Sequence, residues 1–124
     1  METQGIRHFT DLIAWQKAHG FTKLVYRITK KFPPEEQFGL TSQLRRAASS
    51  VSANIAEGYG RYHFKDKLRF YYQARGSNTE CQNHLILAHD LSFTSDDEHT
   101  VLKIAVFESY KVLCGLIAST ASEI

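Results

Sequence analysis

Residues 39–61 constrain the fold more than any other part of the chain, and they read GLTSQLRRAASSVSANIAEGYGR. Apolar residues recur here at three- and four-residue steps, the spacing that places them on one face of an α-helix. Gly58 and Gly60 follow, and glycine commonly ends a helix because it adopts positive φ without steric cost. We therefore predict a helix from about residue 40 to 58 whose buried face consists of Leu40, Leu44, Ala47, Ala48, Val51 and Ile55.

The opposite face of this predicted helix is small as well as polar, because Ser and Ala stand where Lys and Glu are usual. Small side chains let a second helix approach closely, either from the same chain or from another copy. We predict that this helix is the most enclosed in the fold, and that Arg46 forms an ion pair, with Glu57 or Glu80 as the available acids. The predicted interface between copies consists of Arg46, Ser49, Ala53, Ala56 and Glu57.

A first helix is predicted over residues 11–31 from the same apolar periodicity. Thr10 and Asp11 provide N-cap chemistry at its start, and Pro33 and Pro34 stop it. Its aromatic residues, Trp15 among them, keep the apolar period and are expected in the core.

Two further helices are predicted, over residues 62–91 and 96–119. Ser95 and Glu98 form an S-x-x-E capping box before the last one. Asn78 falls on the buried stripe of the third helix and needs a hydrogen-bond partner there. The residues predicted to be buried are Phe64, Leu68, Tyr71, Cys81, Leu85 and Ala88 in the third helix, and Val101, Leu102, Ala105, Val112, Leu113, Leu116 and Ile117 in the fourth.

No stretch alternates apolar and polar residues as a half-buried strand would. Four helices with short connections, in a chain of 124 residues, predict an all-α, antiparallel up-and-down four-helix bundle in one domain spanning residues 1–124.

Several functional classes lack their sequence signals. No apolar run approaches the ~20 residues that span a bilayer, and METQGIRHFT lacks a signal-peptide apolar segment, so we expect a cytoplasmic protein without membrane contact.

Cys81 and Cys114 are not spaced as metal ligands and are expected to be reduced. His84 and His89 are off-face for a shared metal, and no nucleotide-binding or nucleophile motif is present. We expect no catalytic residue, metal or cofactor, and hence no enzyme.

Charge is divided unevenly along the chain. Residues 1–75 contain 13 Lys or Arg and 6 Asp or Glu, a net charge of +7, whereas residues 76–124 contain 2 and 7, a net charge of −5. Within the basic part, two sets of cations follow i, i+4, i+8 spacing, and like charges at this spacing destabilise a helix. The candidate nucleic-acid-binding residues are therefore Lys23, Arg27 and Lys31 in the first helix, and Arg61, Lys65 and Arg69 at the third, with Tyr59, Tyr62 and Tyr72 nearby.

The chain resembles a known bacterial family in three segments. They are FTDLIAWQKAHGFTKLVYRITKKFP from residue 9, FGLTSQLRRAASSVSANIAEGYGR from residue 38 and RFYYQARGSNTE from residue 69. The family comprises proteins encoded in intervening sequences of 23S ribosomal RNA genes, also called S23-like, and it includes accessory variability proteins of diversity-generating retroelements. The resemblance implies a four-helix bundle that assembles as a homopentamer with a basic surface. For the retroelement branch it also implies binding to nucleic acid and to a reverse transcriptase.

Three functions remain open at this point. The leading one is a non-enzymatic, homo-oligomeric bundle that binds RNA or DNA through basic side chains without reading sequence. The second is a protein-interaction scaffold whose basic residues face acidic protein surfaces. The third, an enzyme, requires a concave pocket in which titratable groups converge.

Overall fold

The structure, a computed structural model, describes residues 5–124, and within them it contains four α-helices and two short 3-10 turns. The helices are α1 (Ile13–Thr29), α2 (Leu40–Tyr59), α3 (Phe64–Asp90) and α4 (Asp96–Ala121). The 3-10 turns are Phe9–Asp11 and Pro34–Glu36. Each helix packs against two neighbours, α1 and α3 both against α2 and α4, so α1 and α3 occupy opposite corners. The predicted all-α four-helix bundle is confirmed.

The start of α1 differs from the prediction. Leu12 is the N-cap residue and provides no side-chain hydrogen bond. Asp11 instead closes the preceding 3-10 turn, where its Oδ2 accepts hydrogen bonds from the backbone N–H groups of Arg7, at 2.9 Å, and His8, at 3.1 Å. These bonds, first that from Arg7, hold the pKa of the Asp11 carboxyl below its usual value. The cap chemistry recognised in the sequence therefore serves the turn before the helix.

The start of α4 follows the prediction. Ser95 Oγ accepts a hydrogen bond from the Glu98 backbone N–H at 3.1 Å, and Glu98 Oε1 accepts one from the Ser95 backbone N–H at 3.0 Å. This reciprocal pair satisfies two donors that the helix itself leaves free, so the predicted capping box is confirmed.

The reason predicted for the two glycines near the end of α2 is wrong, because neither Gly58 nor Gly60 has positive φ. Gly58 is a buried residue inside the helix, and a Cβ atom added to it would lie 2.6 Å from Tyr71 Cε1 of α3. The position therefore needs a residue without a side chain so that α3 can approach α2. Positive φ occurs at Ser92 (φ 64°), in the connection between α3 and α4.

The core is built as predicted over most of its length. All six apolar residues assigned to the buried face of residues 39–61 are buried, with Leu44, Val51 and Ile55 at 0% exposure. Phe64 and Val101 were predicted to be buried and are 41% and 50% exposed. Phe64 is the first residue of α3, and Val101 lies in the second turn of α4. Neither side chain is enclosed by a neighbouring helix.

Two apolar clusters form the core, one around Phe21 and Leu44 and one around Val51 and Tyr71. Asn78 lies in the interior at 0% exposure. Its Nδ2 donates to the Val106 carbonyl at 3.1 Å, and its Oδ1 accepts from Gln82 Nε2 at 2.8 Å. The expectation that this buried amide needs a partner is therefore confirmed. Trp15 lies at the rim of the core and stacks on His19, with ring centroids 4.5 Å apart.

Candidate nucleic-acid interface

Arg61, Lys65 and Arg69 do not form one helical row, because α3 begins at Phe64 and Arg61 lies in the connection between α2 and α3. The backbone N–H of Arg61 donates to the Gly58 carbonyl at 3.1 Å, and His63 is extended, with φ −86° and ψ 139°. The prediction of i, i+4, i+8 spacing on a continuous helix is therefore wrong for Arg61. The three cations nevertheless lie at the same end of the bundle.

Two carboxylates and one aromatic ring hold the two arginines together. Arg61 Nη2 lies 2.9 Å from Glu57 Oε2, and Arg61 Nη1 lies 3.7 Å from Asp66 Oδ2. Asp66 Oδ1 accepts a hydrogen bond from Arg69 Nη2 at 2.9 Å. The guanidinium carbons of Arg61 and Arg69 lie 4.5 and 4.4 Å from the centroid of the Phe70 ring. Asp66 and Phe70 were not singled out in the sequence, although Asp66 stands three residues before Arg69.

These ion pairs weaken the positive field without removing it. The Arg61 and Arg69 side chains are 39% and 56% exposed, and exposed pairs of this kind contribute only about 0–1 kcal/mol each. A phosphate can therefore compete for the guanidinium groups at low cost. Lys65 is exposed and forms no ion pair within the part of the chain that the structure describes.

Two further cations extend this basic end along α3. Lys67 Nζ donates to the Tyr59 carbonyl at 2.7 Å, which satisfies a free acceptor at the end of α2, and partial burial lowers the pKa of Lys67. The Arg75 guanidinium lies 5.1 Å from the centroid of the Tyr72 ring. Neither Lys67 nor Arg75 was singled out in the sequence. The composition of residues 61–75, which contain five Lys or Arg and one Asp, could have indicated them.

The second set of predicted cations lies elsewhere in the bundle. Lys23 and Arg27 are exposed on α1, at the corner opposite α3. Lys31 lies beyond the end of α1 and forms an ion pair with Glu98 of α4. Its hydrogen bond is the main reason why the pKa of the Glu98 carboxyl is lowered. Lys17 of α1 also faces α4, 3.6 Å from Glu108. The fold thus separates the two sets, and part of the basic half pairs with the acidic half.

The predicted interface between copies forms an uncovered strip on α2. Arg46, Ala53 and Glu57 are exposed, whereas Ser49 and Ala56 are half-buried. Phe9 of the first 3-10 turn lies beside this strip, in an open hollow that it lines together with Ala53 and Ala56. Within the chain Glu57 pairs with Arg61, and Arg46 forms no ion pair among residues 5–124. Eight of the 20 residues of α2 are buried, a larger share than in α1 (6 of 17), α3 (8 of 27) or α4 (6 of 26). The expectation that α2 is the most enclosed helix is therefore confirmed, although this strip is open in the single chain.

Other chemistry has little support in the described part of the chain. No group of three or more His, Cys, Asp or Glu residues within residues 5–124 is arranged to hold a metal ion. Both cysteines are free, and burial is the main cause that raises the pKa of the Cys81 thiol to about 12. None of the helices described combines the length and the apolar character that a membrane span requires.

Comparison with known proteins identifies the family and the fold. A family model described as 23S rRNA-intervening sequence protein matches residues 10–115. A crystal structure of a protein with unknown function from the S23 ribosomal protein family of Bacteroides thetaiotaomicron is similar, with a TM-score of 0.77 and 19% sequence identity. The similarity covers 86% of this chain and 96% of that one, and at this identity it supports the fold alone. The search of curated proteins gave no match.

Proposed function

The chain belongs to the 23S rRNA-intervening sequence protein family, and on that premise we propose that it is a non-enzymatic, homo-oligomeric bundle that binds RNA or DNA without reading sequence. One observation carries the proposal: five cations lie within residues 61–75, opposed there by a single carboxylate. They are interleaved with aromatic side chains at one end of the bundle. Phosphate attraction is independent of sequence, and the exposed Lys65 and Arg69 together with the half-buried Arg61 supply it.

Oligomerisation would strengthen each weak contact. Several copies that present the same basic end to one nucleic acid bind by avidity, so modest individual sites give useful affinity. The uncovered strip of Arg46, Ser49, Ala53, Ala56 and Glu57 supplies the proposed contact between copies. A pentamer, as the resemblance implies, would have a solution mass five times that of the chain, and light scattering after size exclusion measures it.

The binding test is a titration of fluorescently labelled RNA and DNA of unrelated sequences, followed by anisotropy. If Arg61, Lys65 and Arg69 each contact one phosphate, the affinity for duplex DNA should fall about 40-fold between 50 and 200 mM salt, because about 0.9 counterions are released per contact. Unrelated sequences should bind with similar affinity. A folded protein that produces no anisotropy change at low salt refutes the proposal.

A pair of matched double variants separates the two sets of cations. Replacing Lys65 and Arg69 with alanine should reduce the slope of log affinity against log salt by about 2, because about 0.9 counterions are released per phosphate contact. The control replaces Lys23 and Arg27 on the opposite corner and leaves the end of α3 intact. Equal losses from both double variants would show that no single basic surface carries the binding.

A protein-interaction scaffold is the second candidate, and exposed apolar side chains favour it. Ile86 of α3 and Ile104 and Phe107 of α4 are 57%, 58% and 44% exposed. Apolar surface of this kind commonly marks a contact with protein. The scaffold hypothesis expects carboxylates of another subunit or partner to cover Arg61, Lys65 and Arg69 in the assembly. Protection of Lys65 from an amine-modifying reagent in the oligomer would favour the scaffold, and rapid modification would favour nucleic-acid binding.

A further inference from the structure

Tyr62 is 89% exposed, more than any other tyrosine in residues 5–124. It lies in the connection between α2 and α3, and its ring meets the His63 ring edge-on at a centroid distance of 4.9 Å. An aromatic side chain normally stabilises a fold through the large area that it buries. Tyr62 buries almost nothing, so its ring contributes little to the stability of the bundle and its face is open to a ligand.

The surroundings of Tyr62 are cationic. Arg61 precedes it in the chain, and the exposed Lys65 follows three residues later. Lys65 also lines an open hollow together with His63 and Phe64, whose own ring is 41% exposed. Arg61 contacts Glu57 and the Phe70 ring, so the residue next to Tyr62 in the chain carries its positive charge at this end of the bundle.

We propose that Tyr62 is a platform on which an unpaired base stacks while Arg61 and Lys65 hold the flanking phosphates, so that this end of the bundle takes single-stranded nucleic acid in preference to duplex. The inference rests on the proposed function and adds the class of nucleic acid to it. Bases in a duplex are stacked on each other and cannot offer a face to a protein ring, whereas single strands bind by a combination of aromatic stacking and backbone charge. Stacking tolerates any base, which agrees with binding that does not read sequence.

Phe38 provides a matched comparison within the chain. It is 90% exposed, as Tyr62 is, but it follows Glu35 and Glu36 in the connection between α1 and α2. That connection lies at the other end of the bundle, because consecutive helices run in opposite directions. The same connection contains Lys30 and Lys31, so its formal charge is balanced, whereas the charge around Tyr62 is positive. An equally exposed ring without a net positive charge around it should not attract a nucleic-acid strand.

The experiment measures the affinity of wild type, Tyr62→Ala, Tyr62→Phe and Phe38→Ala for a labelled 15-nucleotide oligothymidylate, used as a probe, and for a duplex of equal length. We expect Tyr62→Ala to weaken single-strand binding about fivefold or more and to change duplex binding less than about twofold. Tyr62→Phe keeps the ring and should bind as the wild type does, and Phe38→Ala should have no effect. Because both rings are exposed, all variants should retain the wild-type circular dichroism spectrum.

A second readout reports stacking directly. A single strand that carries 2-aminopurine should lose fluorescence when the wild type or Tyr62→Phe binds, because stacking on an aromatic ring quenches it, and Tyr62→Ala should abolish most of the loss. Unchanged single-strand affinity in Tyr62→Ala, or an equal loss for duplex, would overturn the stacking role and leave the proposed function standing. Failure of the wild type to bind either probe at low salt would overturn both.

Discussion

Replacing Gly58 with alanine tests the contact that sets the distance between α2 and α3. The added Cβ would lie 2.6 Å from Tyr71 Cε1, 2.9 Å from Tyr71 Cδ1 and 3.1 Å from the Lys67 carbonyl oxygen. Tyr71 is 2% exposed, and the carbonyl belongs to the backbone of α3, so neither group can move aside without shifting the helix. The substitution therefore forces α2 and α3 apart locally.

The size of the effect follows from two opposing contributions. Alanine gains up to about 1 kcal/mol over glycine in the interior of a helix, whereas overpacking a core costs about 1–3 kcal/mol. At the distances found here the steric cost prevails, and we expect Gly58→Ala to lower the free energy of unfolding by about 1–2 kcal/mol.

Gly76 of α3 and Gly115 of α4 are matched controls, because a Cβ at either position meets no atom within 4 Å. Gly76→Ala and Gly115→Ala should each raise the free energy of unfolding by about 0.5–1 kcal/mol. Equilibrium unfolding in urea at one fixed protein concentration measures all three variants, since the stability of an oligomer depends on concentration. If Gly58→Ala is as stable as the control variants, Gly58 does not mediate a close helix contact and our reasoning is wrong.

Three further predictions concern the cap of α4, the half-buried His99 and the open strip of α2. Ser95→Ala should cost about 1 kcal/mol in urea unfolding, because it removes the capping box, and an unchanged stability would contradict this. Burial first, and then the charges of His89 and Lys103, lower the pKa of His99 below 6.5, so the neutral ring is favoured in the folded state. The free energy of unfolding should then fall as the pH decreases below about 6.5, because the unfolded chain binds the additional proton more readily. His99→Gln should make the free energy of unfolding depend less on pH. If the variant and the wild type lose stability equally over this pH range, His99 is not the cause. Ala53→Leu should lower the solution mass while the helical content stays the same, because Ala53 is exposed in the single chain; an unchanged mass would place the contact between copies on another surface.

Helix positions could be predicted from the sequence because they depend on local spacing. The apolar steps of residues 39–61 alone identify the face that carries Leu44, Val51 and Ile55, and all three are fully buried. Ser95 and Glu98 form their reciprocal hydrogen bonds within four residues of chain, so no distant element is needed to recognise them. Predicted helix limits differ from the observed ones by no more than two residues, a difference that is usual because helix ends fray.

Contacts between helices could not be predicted in the same way. Gly58 and Gly60 matched the pattern of a helix end, but Gly58 is required by the Tyr71 ring, which reaches it from a different helix. Phe64 and Val101 kept the apolar period and yet are exposed, because periodicity indicates a face and not whether another element covers it.

The sequence by itself determined the four helices, most of their buried faces and the concentration of cations in residues 61–75, since these follow from local periodicity and composition. Only the tertiary structure decided how those cations are used. It placed Arg61 outside α3, paired it with Glu57 and Asp66, and put Lys23 and Arg27 on the opposite corner of the bundle. The physical reason is that the energy of two charges depends on the distance between them in space. Helix packing sets that distance, and the spacing of residues along the chain does not reveal it.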